Sequence, residues 1–276
     1  MHRKSESTDM EPTNEYLQMQ NDTQIANSIR EEGFSAHTLT LIDNYINQIF
    51  NGQTNLTQFN QAEHAGLCCA GKVLIGAYLV CHYAQASLAA GTDAGAGQAL
   101  PTSWEIDEAQ ERLVQQWAEA KQVWFVNAED DIESEYGPIL AQGAEAKVYY
   151  RDGDTSVVKL RTSIYATLIR ALESIVLHNT LFHETPMHVI GFTRDADGLF
   201  RSICTQPYIG CKRLATKQEI DEMVLEKGFR DNCDGQGVNY IGERLHLEDM
   251  HPANVFIDTI SNVPVCIDCI VKFVRK

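Results

Sequence analysis

Two neighbouring stretches decide the fold: HLEDMHPANVFID (246–258) and VPVCIDC (263–269). Asp249 and Asn254 stand five residues apart on a predicted loop, a strand follows, and a turn at Ser261 and Asn262 leads to an apolar run ending at Asp268. The expected order is loop, strand, turn, strand. Phosphoryl transfer asks for an acid that orients the accepting hydroxyl, an amide oxygen on Mg²⁺, and a carboxylate between metal and phosphate. Asp249, Asn254 and Asp268 suit these tasks in turn. Each alone also reads as a turn former or a strand cap, since aspartate beside Pro and Asn bonds its own backbone. Their joint spacing around Pro252 is the narrower signal.

Working upstream, PILAQGAEAKVYYRDGDTSVVKL (138–160) predicts a β-turn at Gly143, a strand over 145–151, a turn at Asp152-Gly153-Asp154 and a strand over 155–160. Lys159 ends an apolar β-branched run, from which it reaches nucleotide phosphates or snorkels at the surface. The helical run TSIYATLIRALESIVLHNTLF (162–182) has Glu173 as its one acid, flanked by Leu172 and Ile175. A carboxylate towards an apolar face needs a cation, and Lys159 is the expected partner. MHVIGFTRDADGLFRSICTQPYIG (187–210) reads as a hairpin, 188–194 and 199–206, turning at Asp195 to Gly198. Its second strand runs into Gln206-Pro207-Tyr208.

Together GAEAKVYY, VVKL, LHNTLFHETPMHVIGFTR, TQPYIG, TKQEIDEMVLEKGFR, and EDMHPANVFID followed by VPVCIDCIV resemble the small kinase domain found in polyvalent proteins of bacterial mobile elements and prophages, known especially from gut Bacteroidales. The resemblance covers about 137–274. It implies an α+β fold: a minimal protein kinase-like domain with an antiparallel N-lobe sheet, an αC-like helix, a catalytic loop and a truncated C-lobe, preceded by an α-helical module. By that resemblance Lys159 holds the phosphates of ATP, Glu173 orients Lys159, Asp249 is the catalytic Asp, and Asn254 and Asp268 hold Mg²⁺. The loop Gly143-Ala144-Glu145-Ala146-Lys147 covers the phosphates, and backbone groups of Gln206, Pro207 and Tyr208 form the hinge for adenine.

Three features depart from the protein-kinase pattern. The loop AQGAEAKV has one glycine instead of three, Asp268 is followed by Cys269-Ile270 instead of Phe-Gly, and Glu248 precedes Asp249 where Arg is usual. Thirty-seven residues separate Tyr208 from His246 and eight follow Asp268, so no activation loop or helical lobe is expected. Two further readings stand beside an active kinase acting on a protein or small-molecule acceptor. One is a nucleotide-binding pseudokinase or interaction module, and the other is a helical interaction protein with a remnant domain.

Composition narrows the partners. With 38 acids against 22 bases and a net charge of -16, the chain repels phosphate-rich surfaces, so neither nucleic acid nor membrane is expected as a partner. The N-terminus has no apolar segment of signal-peptide length, so a cytoplasmic setting is expected. The eight cysteines then read as free thiols; Cys266 and Cys269 form a CxxC without a second CxxC or a nearby His pair to complete a zinc site.

Residues 1–34 read as a flexible tail, 35–126 as a helical module, 127–136 as an acidic linker and 137–276 as the minimal kinase-like domain. Within the module, Ser35 starts a helix over 36–50, and 57–90 reads as a buried helix with Gly66, Gly71 and Gly76 allowing close approach. Thr102 and Glu105 have capping-box spacing, and Trp104, Leu113, Trp117 and Trp124 suggest one packed stripe. The module is expected to pack against the sheet and supply part of the missing wall.

Overall fold

A computed structural model of the chain describes residues 14–56, 58–92, 101–143, 145–162 and 167–274. The chain divides into two compact units, 1–60 and 61–276. In the first, α1 (Asn14–Glu32) and α2 (Ala36–Phe50) bring Ile25, Ile29, Ile42, Ile46 and Ile49 into burial. Ser35 Oγ caps α2 by accepting from Thr38 N–H. The flexible tail expected over 1–34 is therefore wrong for Asn14–Glu32. Ile25 and Ile29 lie one turn apart and are both buried, a signal that the polar residues around them dilute. Residues 1–13 lie outside the described residues.

The second unit begins with α3 (Gln61–Thr92), α4 (Ser103–Ala120) and α5 (Ala128–Tyr136). Five antiparallel strands surround the next helix: β1 (Ile139–Gln142), β2 (Ala146–Tyr149), β3 (Ser156–Thr162), α6 (Leu168–Leu181), β4 (His188–Arg194) and β5 (Phe200–Pro207), in sheet order β1-β2-β3-β5-β4. The rest is short elements: β6 (Cys211–Leu214), α7 (Lys217–Glu226), β7 (Arg230–Asp231), β8 (Tyr240–Ile241), β9 (Leu245–Glu248), a 3₁₀ turn (Pro252–Asn254), β10 (Val255–Asp258), β11 (Pro264–Cys266) and β12 (Ile270–Phe273). They form two small sheets, β11-β10-β6 and β12-β9-β8-β7. The result is an α+β fold of helices and antiparallel sheets.

Strand β3 shows why the sheet has two different faces. Its side chains alternate with period two. Val158 and Leu160 point to one side, where they join Tyr149, Ile203, and Ala128 and Ile132 of α5 in a buried cluster. Val157, Lys159 and Arg161 point to the other. The expected acidic linker at 127–136 is thus a helix packed on the sheet. Glu129, Asp130 and Asp131 sit in its first turn, where the helix dipole favours negative charge.

The helices α3 and α4 fold with the strands instead of forming a module of their own. At Gly66 a Cβ would lie 2.4 Å from Val176 O of α6, so only glycine allows this approach of α3 to α6. Gly71, at φ 92°, breaks α3 into two segments where the His188 ring packs. Helix α4 caps α6: Asp107 Oδ1 accepts from Leu168 N–H at 2.6 Å, and Gln110 Oε1 from Ile169 N–H at 3.1 Å. These are the orphan donors of a helix N-terminus, and Thr167 supplies no side-chain cap. The packing is against α6 and β4 rather than across the cleft described below. The single tryptophan stripe does not form: α4 ends at Ala120, Trp104 is exposed, and Val123 to Phe125 run extended beside β4, with Phe125 N–H donating to Phe192 O at 2.9 Å. Within α3, Gln61–Ala89 is long and apolar enough to cross a membrane, but 67% of its most apolar window is buried in the protein, as in a core helix.

Candidate functional site

A cleft of about 630 Å³ opens between the five-stranded sheet and the short elements after β5. Gly143, Glu145, Lys159, Gln206, Pro207, Tyr208, Asp249, Asn254 and Asp268 all line it. Ala144 lies outside the described residues. Glu173 does not line the cleft.

Lys159 is positioned by register, opposite Val148 on β2 and Cys204 on β5. Its ammonium donates to Ile267 O at 2.8 Å and pairs with Asp268 Oδ2 at 3.5 Å. The expected Lys159–Glu173 pair is not formed. Glu173, buried on α6, accepts instead from Tyr78 of α3 at 3.4 Å and pairs with Arg170 one turn away. The physical reason is that Asp268 lies nearer the lysine, while α3 supplies a hydroxyl on the Glu173 side.

Arg161 is a site residue that the sequence reading passed over. Two positions after Lys159 on the same strand face, it meets Asp268 Oδ1 at 3.2 Å. The VVKLR alternation was the available signal. Burial alone would raise the Asp268 carboxyl, but Arg161 and Lys159 hold it down at about 2, so it remains ionised. Glu145 is pushed the other way, first by burial and then by the charges of Asp268 and Asp249. Three carboxylates therefore converge on one end of the cleft.

Asp249 follows β9 in the left-handed region, at φ 63°, where aspartate is among the few tolerated side chains. That conformation starts the tight turn ending at Asn254. Asn254 Nδ2 donates to both Asp249 O and Asp249 Oδ2 at 2.9 Å, and His251 Nε2 lies 3.3 Å from Asp249 Oδ1. His251 is the second residue the sequence reading missed. Asn254 O accepts from Ile267 N–H at 2.9 Å, which ties the Asp249 turn to the segment carrying Asp268. Glu248 pairs with Lys272 of β12 at 2.7 Å.

At the other end, the three expected hinge residues offer little to a ligand through N–H groups. Pro207 has none, Tyr208 N–H donates to Thr155 O at 2.9 Å, and the buried Gln206 side chain donates to Thr185 O at 2.7 Å. Tyr208 stacks on Tyr150 with ring centroids 4.2 Å apart. The next residue, Ile209, also lines the cleft, and its N–H has no partner among the described residues. Apolar walls come from Leu140, Val148, Val157 and Phe256.

The oxygen donors fit a hard divalent cation such as Mg²⁺. Asn254 has its amide nitrogen fixed on Asp249, and its Oδ1 receives no hydrogen bond from the described residues. Asp268 contributes an ionised carboxylate on the same cleft. No curated protein matches the chain. A family model does: with residues 107–275 matched, the chain belongs to the serine/threonine/tyrosine kinases found in polyvalent proteins.

Proposed function

We propose that the chain is an ATP-dependent phosphotransferase of a bacterial mobile element, acting in the cytoplasm on a hydroxyl of a protein or small-molecule acceptor. One observation carries this reading: Lys159, Asp249, Asn254 and Asp268 meet on a single cleft of about 630 Å³, a size that suits a nucleotide. In this reading β1 to β5 serve as the N-lobe, α6 as the αC-like helix, and the elements from β6 onward as a reduced C-lobe.

The base lies against Val148, Val157 and Phe256, with Ile209 N–H as hinge donor. Lys159 uses two of its three N–H groups on Ile267 O and Asp268, which leaves one for a phosphate oxygen. Asn254 Oδ1 and the Asp268 carboxylate would hold Mg²⁺, which would neutralise phosphate charge. Asp249 accepts the hydrogen bond of the acceptor hydroxyl and aims its oxygen at the γ-phosphorus. As the new P–O bond forms, the bond to the β–γ bridging oxygen breaks, and the hydroxyl proton passes towards Asp249. His251 and Asn254 fix the carboxylate that does this.

Calorimetric titration with ATP and Mg²⁺, comparing the natural chain with Asp268→Ala, tests the reading. Saturable, metal-dependent binding lost in the variant is the expected result; no binding to the natural chain at millimolar ATP refutes it. A second reading, nucleotide binding without transfer, draws on Glu173, which engages Tyr78 and Arg170 in place of Lys159. Mg²⁺-dependent binding with no turnover of ATP on any acceptor would favour it.

A further inference from the structure

Behind the cleft, the CxxC that looked incomplete in the sequence meets a histidine from far along the chain. His178 on α6, Cys266 at the end of β11 and Cys269 before β12 are all buried, and their ligand atoms lie within 4.8 Å of one another. His178 Nδ1 is 3.5 Å from Cys269 Sγ. A tetrahedral zinc, about 2.3 Å from sulfur and about 2.0–2.1 Å from nitrogen, sets two such ligands about 3.5 Å apart.

The surroundings fit a ligand histidine independently of that distance. His178 Nε2 lies 3.1 Å from Thr185 O, so this nitrogen donates and the Nδ1 lone pair is turned to the cysteines. Orientation of a metal-binding imidazole by a backbone carbonyl is the usual second tier of such a site. The Thr185 hydroxyl then donates to Cys266 O at 2.6 Å, so the same residue steadies both sides of the cluster. Charge favours a divalent ion over a monovalent one, and the mixed sulfur and nitrogen donors suit zinc. Two thiolates, a neutral imidazole and Zn²⁺ sum to zero, whereas a monovalent soft cation would leave a buried negative charge.

We propose that His178 Nδ1, Cys266 Sγ and Cys269 Sγ bind a zinc ion that staples α6 to the segment carrying Asp268. Zn²⁺ displaces the two thiol protons to solvent, forming two Zn–S bonds and one Zn–N bond with no change of oxidation state. The fourth position is open to water or to Met250 Sδ, which lies 3.9 Å from Cys266 Sγ. The proposal uses neither nucleotide nor acceptor, so it stands or falls apart from the phosphotransferase reading.

The test is metal analysis of the full chain, produced in zinc-supplemented medium and purified under reductant without chelator. Close to one zinc per chain is expected, lost in Cys269→Ser and in His178→Ala and retained in Cys233→Ser, whose thiol is exposed. Because substitution at two buried positions risks misfolding, the natural chain stripped of zinc and refilled with Co²⁺ gives a second readout. A thiolate-to-cobalt charge-transfer band is expected, together with a melting temperature that falls when zinc is removed and recovers when it is restored. A natural chain that holds no zinc and gives no such band, whether the thiols are free or joined as a disulfide, overturns the proposal.

Discussion

Lys159→Met, Asp268→Asn and the double variant form a thermodynamic cycle whose coupling reports one ion pair. At 3.5 Å between Lys159 Nζ and Asp268 Oδ2, an effective dielectric of about 20 gives an attraction of about 5 kcal/mol. Two effects reduce it. The side chains are only 5% and 23% exposed, so both groups lose hydration on folding. Arg161 also remains on Asp268 at 3.2 Å when Lys159 is gone. The expected coupling is about 1–3 kcal/mol. A parallel cycle of Lys159→Met with Glu173→Gln should couple by no more than about 0.5 kcal/mol, because the two residues have different partners. Both cycles are read from urea unfolding of the metal-free, nucleotide-free chain by circular dichroism, at constant m value. A Glu173 coupling equal to or larger than the Asp268 coupling would refute the pairing described here.

Three other outcomes are expected. Asp249→Asn keeps a residue type that tolerates φ 63° and should lower phosphoryl transfer by at least about a hundredfold, while calorimetry shows Mg²⁺·ATP affinity nearly unchanged; loss of ATP binding would instead make Asp249 a metal ligand or a structural residue. Asp107→Ala removes the cap on Leu168 N–H and should cost about 1 kcal/mol of stability, measured by thermal or urea unfolding; an unchanged midpoint would remove α4 from the account of α6. A truncated chain beginning at Gly137 loses α3, α4 and α5 and should fail to give a cooperative thermal transition. Folding as stable as that of the full chain would show that these helices are dispensable.

Much of the second unit was legible because its signals are local. The β4–β5 hairpin follows from alternation around an Asp195–Gly198 turn, and the start of β3 from the apolar run before Lys159, although β3 continues to Thr162, two residues past the expected end. The capping box at Thr102 and Glu105 forms as spaced. The Asp249 to Asn254 turn needs only six consecutive residues to close on itself. By contrast, α1 and α5 were missed because their apolar positions are few and sit among polar or acidic residues, so burial is visible only once another surface covers them.

The sequence by itself determined β2 to β5, β10 and β11, the turn chemistry and which residue types could serve a phosphoryl-transfer site, since periodicity and turn propensity act over a few residues; β1 and the short strands β6 to β9 and β12 carry too few residues for alternation to show. Tertiary structure alone decided who pairs with whom. Lys159 meets Asp268 across 109 residues and His178 meets Cys269 across 91, while Glu173 turns to a tyrosine of α3. Those choices depend on which charged or polar groups packing leaves within a few ångströms in a place where water cannot compensate, and no local pattern encodes that distance.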